Sequence, residues 1–252
     1  MSASELPCVH VRAVLESETL EALRRECDAL ASCATSYDAL DVFEFARALP
    51  GDTSNARVER DAFARARRAA RRQIFPAMKA DDTDADIIAD ALLRKIPLAL
   101  EKNDDNVRLK ELFLFNAHYV VKPPYSTDVF AWHRDGDEQL SLCVDGAAST
   151  YVSAWCPLDD VDQTNGCLLF RTNHEDSDEG GGVGVHANAG DIIFFASDVE
   201  HASGPNALAR SRRVFYAQYS FERLVATASD ASPLAFAVPL ELSRSARKNQ
   251  LK

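Results

Sequence analysis

Residues 190–219, "GDIIFFASDVEHASGPNALARSRRVFYAQY", read as an apolar strand, a short turn, a histidine, a loop and a second strand with a basic pair at its end. Aromatic and β-branched residues dominate both apolar runs, and Gly, Asp, Pro and Asn punctuate them, which favours strands over helix. Read as a hairpin, the unit returns an arginine of the second strand to the side of His201. Similar strand texture occurs in "KELFLFNAHYVV" (110–121), "STYVSAWCPL" (149–158) and "GCLLFRTN" (166–173). "DDVDQTNGC" (159–167) puts an Asn-Gly turn signal between two of these runs.

Upstream the period changes. In "SETLEALRRECDALASC" (17–33), Leu20, Leu23, Cys27 and Leu30 fall at helical spacing and Ser17 can cap the start. "TSNARVERDAFARARRAARRQIFPAM" (53–78) predicts a second helix ending before Pro76. Its arginines, Arg65, Arg67, Arg68, Arg71 and Arg72, spread around the axis and are read as a solvated face. "DTDADIIADALLRKIPLALEK" (82–102) predicts a third helix, capped near Asp82 or Thr83 and interrupted at Pro97. Helices followed by many short strands give an α+β chain whose β portion is a sandwich or jelly roll. One domain over 1–252 is expected, mainly helical over 1–105, with a jelly-roll core over 106–225 and a tail over 226–252. "DSDEGGGVG" (176–184) is read as an acidic mobile loop; it lacks the Lys-Ser/Thr of a phosphate-cradling loop.

Charge and composition narrow the function. The formal net charge of -11 argues against nucleic acid or an anionic membrane surface as partner, because both need clustered Lys and Arg. The six cysteines form no Cys-x-x-Cys pair and read as reduced core thiols. No signal peptide, membrane-spanning run or peroxisomal ending is visible, so a soluble cytoplasmic protein is the default expectation. Oligomeric state is not legible.

"FAWHRDGDEQ" (130–139) carries the chemistry. A kinase catalytic loop also reads His-Arg-Asp but needs Asn five residues after the Asp, where this chain has Leu140. On a strand, residues two apart share a face, so His133 and Asp135 point inward together while Arg134 points out. Two histidines and one carboxylate on one face of a metal form the facial triad of non-haem Fe(II) oxygenases, with positions left open for co-substrate and O₂. The candidate third ligands are His174, His186 and His201. His201 is favoured because a nearby strand arginine could hold the far carboxylate of a metal-chelating dicarboxylate co-substrate.

"VVKPPYSTDVFAWHRD" (120–135), "YVSAWCPLDDVDQTNGCLLFRTNHE" (151–175) and residues 190–216 occur in the order of the hallmark blocks of the phytanoyl-CoA dioxygenase family, which the chain resembles over about residues 90–225. The resemblance implies a double-stranded β-helix, a jelly-roll or cupin-like core with the N-terminal helices packed outside. It implies an Fe(II)- and 2-oxoglutarate-dependent dioxygenase that consumes O₂, releases succinate and CO₂ and hydroxylates a small organic molecule. By the same resemblance His133, Asp135 and His201 are the iron ligands, Arg212 holds the far carboxylate of 2-oxoglutarate, and Ser203 hydrogen-bonds it. Trp155 lines that pocket, and His118 and Lys95 match places where relatives touch the co-substrate. Arg134 stands where the family usually has Gln, and "RTNHE" where it often has Pro-Gly-Ser-His, which leaves His174 without a role. Arg213 competes with Arg212, since a one-residue slip swaps faces. Asp135 fills the position a halogenase leaves vacant. Two other readings are a non-catalytic sensor or scaffold that binds metal or 2-oxoglutarate, and a cupin-like metalloenzyme that does not use 2-oxoglutarate.

Overall fold

Side chains alternate across a strand, and residues 212–220 show what that alternation divides. Val214, Tyr216 and Gln218 face one way, Phe215, Ala217 and Tyr219 the other, and both sets are buried. The strand therefore lies between two layers, with helices on one side and a second sheet on the other. In the structure, a computed structural model, residues 6–33, 60–74, 82–108, 112–139, 150–171, 181–222 and 236–237 are described.

The strands are β1 (Val9–Val11), β2 (Phe113–Lys122), β3 (Phe130–His133), β4 (Val152–Pro157), β5 (Leu168–Phe170), β6 (Val183–Val185), β7 (Ile192–Ala196), β8 (His201–Ser203), β9 (Arg212–Ser220) and β10 (Phe236–Ala237). Six form one sheet in the order β1-β7-β4-β9-β2-β10, and four form the other in the order β3-β8-β5-β6. All pairs are antiparallel. This is the jelly-roll core. The expected hairpin at 190–219 is replaced by a crossing: β7 lies in the large sheet, β8 in the small one, and β9 in the large one again. The Asn165-Gly166 turn likewise joins strands of different sheets, β4 and β5. These sheet-to-sheet passages bring His201 and Arg212 to opposite walls of one space. Val183 and Gly184, at the end of the stretch read as a mobile loop, form β6 with Val185 against β5.

The helices are α1 (Ser17–Cys33), α2 (Arg60–Ile74), α3 (Asp82–Asp90), α4 (Ile96–Asn103) and, after β3, the short α5 (Asp135–Gln139). Pro97 does not interrupt the third predicted helix. A π turn, Ala91–Lys95, joins α3 to α4, and the Ile96 N–H donates to the Ala91 carbonyl five residues back. The widened turn accommodates the proline, which lacks an N–H of its own. Leu20, Leu23, Phe63, Leu92 and Ile96 pack on the outer face of the large sheet against Phe194, Phe215 and Tyr219.

One arginine of α2 departs from the solvated reading. Arg67 is buried, and its Nη2 lies 2.6 Å from Glu26 Oε2, which also accepts from the Tyr119 hydroxyl at 2.5 Å. This charge-assisted link pins α2 and α1 to β2. Removing one partner of a buried pair leaves a charge stranded in low dielectric. Glu26→Gln should therefore lower unfolding free energy by about 3 kcal/mol in a urea titration, whereas a surface pair would cost at most about 1 kcal/mol.

Candidate metal centre and active site

His133 ends β3 and His201 opens β8, and the two are register partners across the small sheet, with ring centroids 4.2 Å apart. Asp135 opens α5 rather than continuing the strand, so the expected same-face strand geometry is corrected to a strand end followed by a helical turn. The turn achieves the same convergence. Asp135 Oδ1 lies 3.6 Å from His133 Nε2 and 3.5 Å from His201 Nε2. One ligand atom from each of the three residues falls within a 4.8 Å cluster. His133 Nδ1 is 2.8 Å from the Ala131 carbonyl and His201 Nδ1 3.0 Å from the Val199 carbonyl. Each Nδ1–H donates to its carbonyl, which leaves the Nε2 lone pairs aimed at the shared centre.

The carboxylate is fixed by residues the sequence reading missed. Asp135 Oδ2 accepts from Ser153 Oγ at 2.7 Å, from the Tyr216 hydroxyl and from Gln218 Nε2 at 3.3 Å. Oδ2 is thereby occupied and Oδ1 left for a metal. Burial pushes this carboxyl up, but the His133 and His201 rings and the Tyr216 and Ser153 hydroxyls outweigh it and hold it down at about 2. Burial lowers the pKa of the His201 ring, keeping it in the neutral form a metal requires. Donors of this kind, two imidazoles and one ionised carboxylate, suit ferrous iron with open positions.

A cavity of about 650 Å³ opens beside the three residues, lined by His118, Trp155, Ser203 and Arg212 among others. Arg212 is buried with the inward-facing set of β9, as its parity with Val214 and Tyr216 requires. Its Nη2 donates to the Gly166 carbonyl at 3.1 Å and its Nε to the Asn165 carbonyl at 3.4 Å, while Nη1 has no partner. Gly166 adopts φ +82°, and a Cβ there would stand 2.5 Å from the Gly204 carbonyl oxygen, so this close approach needs glycine. Burial lowers Arg212 to about 10. Arg213 faces the helices instead, donating to Asp159 and to Asp28 of α1. Beside Arg212 stands the buried Lys122, its cross-strand partner, whose ammonium donates to the Ser203 carbonyl at 3.1 Å and to the Asp128 and Gly204 carbonyls.

The remaining expected residues divide. Trp155 is buried in the wall, with the Arg212 guanidinium 5.7 Å from its ring centre, and Ser203 is buried at the end of β8. His118 lies against Tyr216 with its Nδ1 unpartnered. Lys95 is not at the cavity: it sits in the π turn, its ammonium bonded to Glu16 and to Thr19 Oγ1 at 2.6 Å. The helical layer, rather than the co-substrate pocket, uses it. His186 and His10 lie by a separate surface recess, and His10 bonds Asp191 at 2.9 Å. His174 falls outside the described residues.

Burial lowers the pKa of His118 from 6.5 to about 4. Its folded value lies below its unfolded one, so its contribution to stability is complete above pH 6.5 and is lost as pH falls towards 4, when the unfolded chain takes up the proton first. The total is about 3 kcal/mol. Unfolding free energies measured from pH 7 to pH 4 should fall by about that much more for the wild type than for His118→Met; equal slopes would refute the assignment.

The phytanoyl-CoA dioxygenase (PhyH) family matches residues 8–214. The chain belongs to that family. As a PhyH protein it is an iron- and 2-oxoglutarate-dependent oxygenase. Among solved structures, the PhyH chain is similar to the epimerase SnoN in complex with Fe3+, alpha ketoglutarate and nogalamycin RO, with 16% identity, TM-score 0.56 and coverage of 94% of this chain and 93% of that one. It is similar to the non-heme monooxygenase ThoJ, with 19% identity, TM-score 0.57 and coverage of 94% and 82%. It is also similar to AviO1 from Streptomyces viridochromogenes Tue57, with 17% identity, TM-score 0.54 and coverage of 86% and 90%. At these identities the likeness establishes the shared fold. No curated protein matches the chain. Among the described residues, no helix is long and apolar enough to cross a membrane.

Proposed function

We propose that residues 1–252 act as one oxygenase unit that hydroxylates a small organic molecule, with His133, Asp135 and His201 holding Fe(II) and Arg212 anchoring 2-oxoglutarate. One observation carries this reading: three ligand atoms converge beside a buried guanidinium with no carboxylate partner, on a common cavity. The bound iron would couple O₂ to the oxidative decarboxylation of 2-oxoglutarate, with succinate and CO₂ released and a substrate C–H bond oxidised.

The chain's own part is orientation and exclusion. Asp135 is ionised at neutral pH and presents Oδ1, while Ser153, Tyr216 and Gln218 stop it from rotating. Arg212 offers the buried, unpartnered Nη1 to the far carboxylate, and burial strengthens a charge-assisted bond. Ser203 and the neutral His118 are the further polar groups offered to the co-substrate, and the buried Trp155 and Leu168 give that part of the wall its apolar surface. A cavity of about 650 Å³ lies in the range of small-molecule sites and leaves room beyond a five-carbon dicarboxylate. The test is a metabolite screen for substrate-stimulated succinate formation by the purified Fe(II) protein, with His133→Ala as blank. Stimulation by the wild type alone supports the reading, and equal 2-oxoglutarate turnover by the variant refutes it.

A further inference from the structure

Among the described residues, the charged ones lining the cavity are Arg134, Asp135, Asp137 and Arg212. On the reading proposed above, Asp135 is committed to the metal and Arg212 to the co-substrate carboxylate. One cation and one anion are left over. Arg134 was expected to point away from the site, because side chains alternate on a strand and its two neighbours were to point inward. It is exposed, yet it lines the cavity mouth, and so does Asp137. The Asp137 N–H donates to the Arg134 carbonyl at 3.2 Å, so a single turn carries both side chains. They do not pair with each other, and among the described residues neither side chain has any other partner. Val129, 61% exposed, and Phe130, 47% exposed, line the same mouth and form an apolar strip.

We propose that Arg134 and Asp137 are opposite-charge anchors for the primary substrate, a dipolar molecule with an anionic and a cationic group close together and an apolar part that lies on Val129 and Phe130. An amino-acid-type group has this chemistry. A guanidinium fork suits a carboxylate, and a free carboxylate beside it attracts an ammonium. A purely anionic ligand would meet Asp137 unpaired, and a purely cationic one would meet Arg134, so each loses on one contact what it gains on the other. The apolar strip adds burial for a hydrocarbon side chain. This inference rests on the Fe(II)/2-oxoglutarate reading of the same cavity.

The experiment supplies the Fe(II) protein and 2-oxoglutarate with apolar amino acids and three blocked forms of each: N-acetylated, esterified, and blocked at both ends. Substrate-stimulated succinate is measured, and 2-oxoglutarate binding is followed separately by calorimetry. The free amino acids should stimulate about tenfold more than any blocked form. Arg134→Gln and Asp137→Asn should each raise the substrate KM about tenfold, the loss of one charged hydrogen bond, while the 2-oxoglutarate Kd shifts far less. Equal stimulation by the doubly blocked compounds, no stimulation by any of them, or an unmoved substrate KM in both variants overturns the dipolar substrate. A wild-type protein that binds no 2-oxoglutarate in the presence of Fe(II) sinks the underlying reading instead, and this inference with it.

Discussion

Asp135→Ala should abolish succinate formation, with a loss on the order of 10³-fold or more, because a Lewis-acid centre contributes several kcal/mol and, on the function proposed above, this carboxylate supplies its anionic ligand. The variant should also lose Fe(II) affinity, measurable by anaerobic calorimetry without any turnover. The supporting hydroxyl gives a graded comparison. Tyr216→Phe keeps the ring that packs against His118 and Phe195 but removes one of the three donors to Oδ2. A loss of about 10–100-fold in metal affinity follows from an orienting contact of this kind. If Asp135→Ala bound Fe(II) as tightly as wild type, the metal would have to sit elsewhere.

With Arg212 as the proposed 2-oxoglutarate anchor, Arg212→Ala should raise the KM for 2-oxoglutarate about 10²–10³-fold, the range for removing one partner of a buried charge pair. Arg212→Lys recovers a part of this, since an ammonium restores charge without the bidentate fork. The neighbouring residue is the control. Arg213 donates to Asp159 and Asp28 on the helix side, so Arg213→Ala should lower stability by about 1 kcal/mol and leave the 2-oxoglutarate KM in place. Steady-state kinetics in 2-oxoglutarate on the three variants separate the two arginines. A larger effect at Arg213 would invert the strand register described for β9.

Much of this site could be read before any fold was known. His133 and Asp135 are two apart, and His201 and Arg212 sit on a strongly apolar segment whose ends are marked by Gly, Asp and Pro. The choice between Arg212 and Arg213 was open only because the register was. Once Tyr216 is seen to line the cavity, period two puts Arg212 rather than Arg213 on the same side. The same count would have found Gln218, and from Trp155 it reaches Ser153. These were missed because uncharged side chains on a fully buried strand carry no alternation of polarity to show which face is the inner one. Which sheet each strand joins was also hidden, as apolar runs separated by turn residues look alike whether the chain folds back or crosses over. Arg67 misled for a different reason: a helix gives the spacing of its arginines, but its burial depends on Glu26, some forty residues earlier and on another helix. Lys95 was placed by resemblance alone, and its partners Glu16 and Thr19, just before and in the first turn of α1, show why such a match transfers poorly without a second residue to fix it.

The pairing of His133 with His201 has a mechanical side. Among the described residues β3 is an edge strand of the small sheet, and its ladder to β8 is irregular, with Phe130–Ser203 and His133–His201 in register. An ion gripped by both rings would rivet that weak border and draw in the start of α5 through Asp135. Occupancy and rigidity of the rim would then rise together, so that the entrance through which a substrate must pass is firmest when the catalyst is loaded.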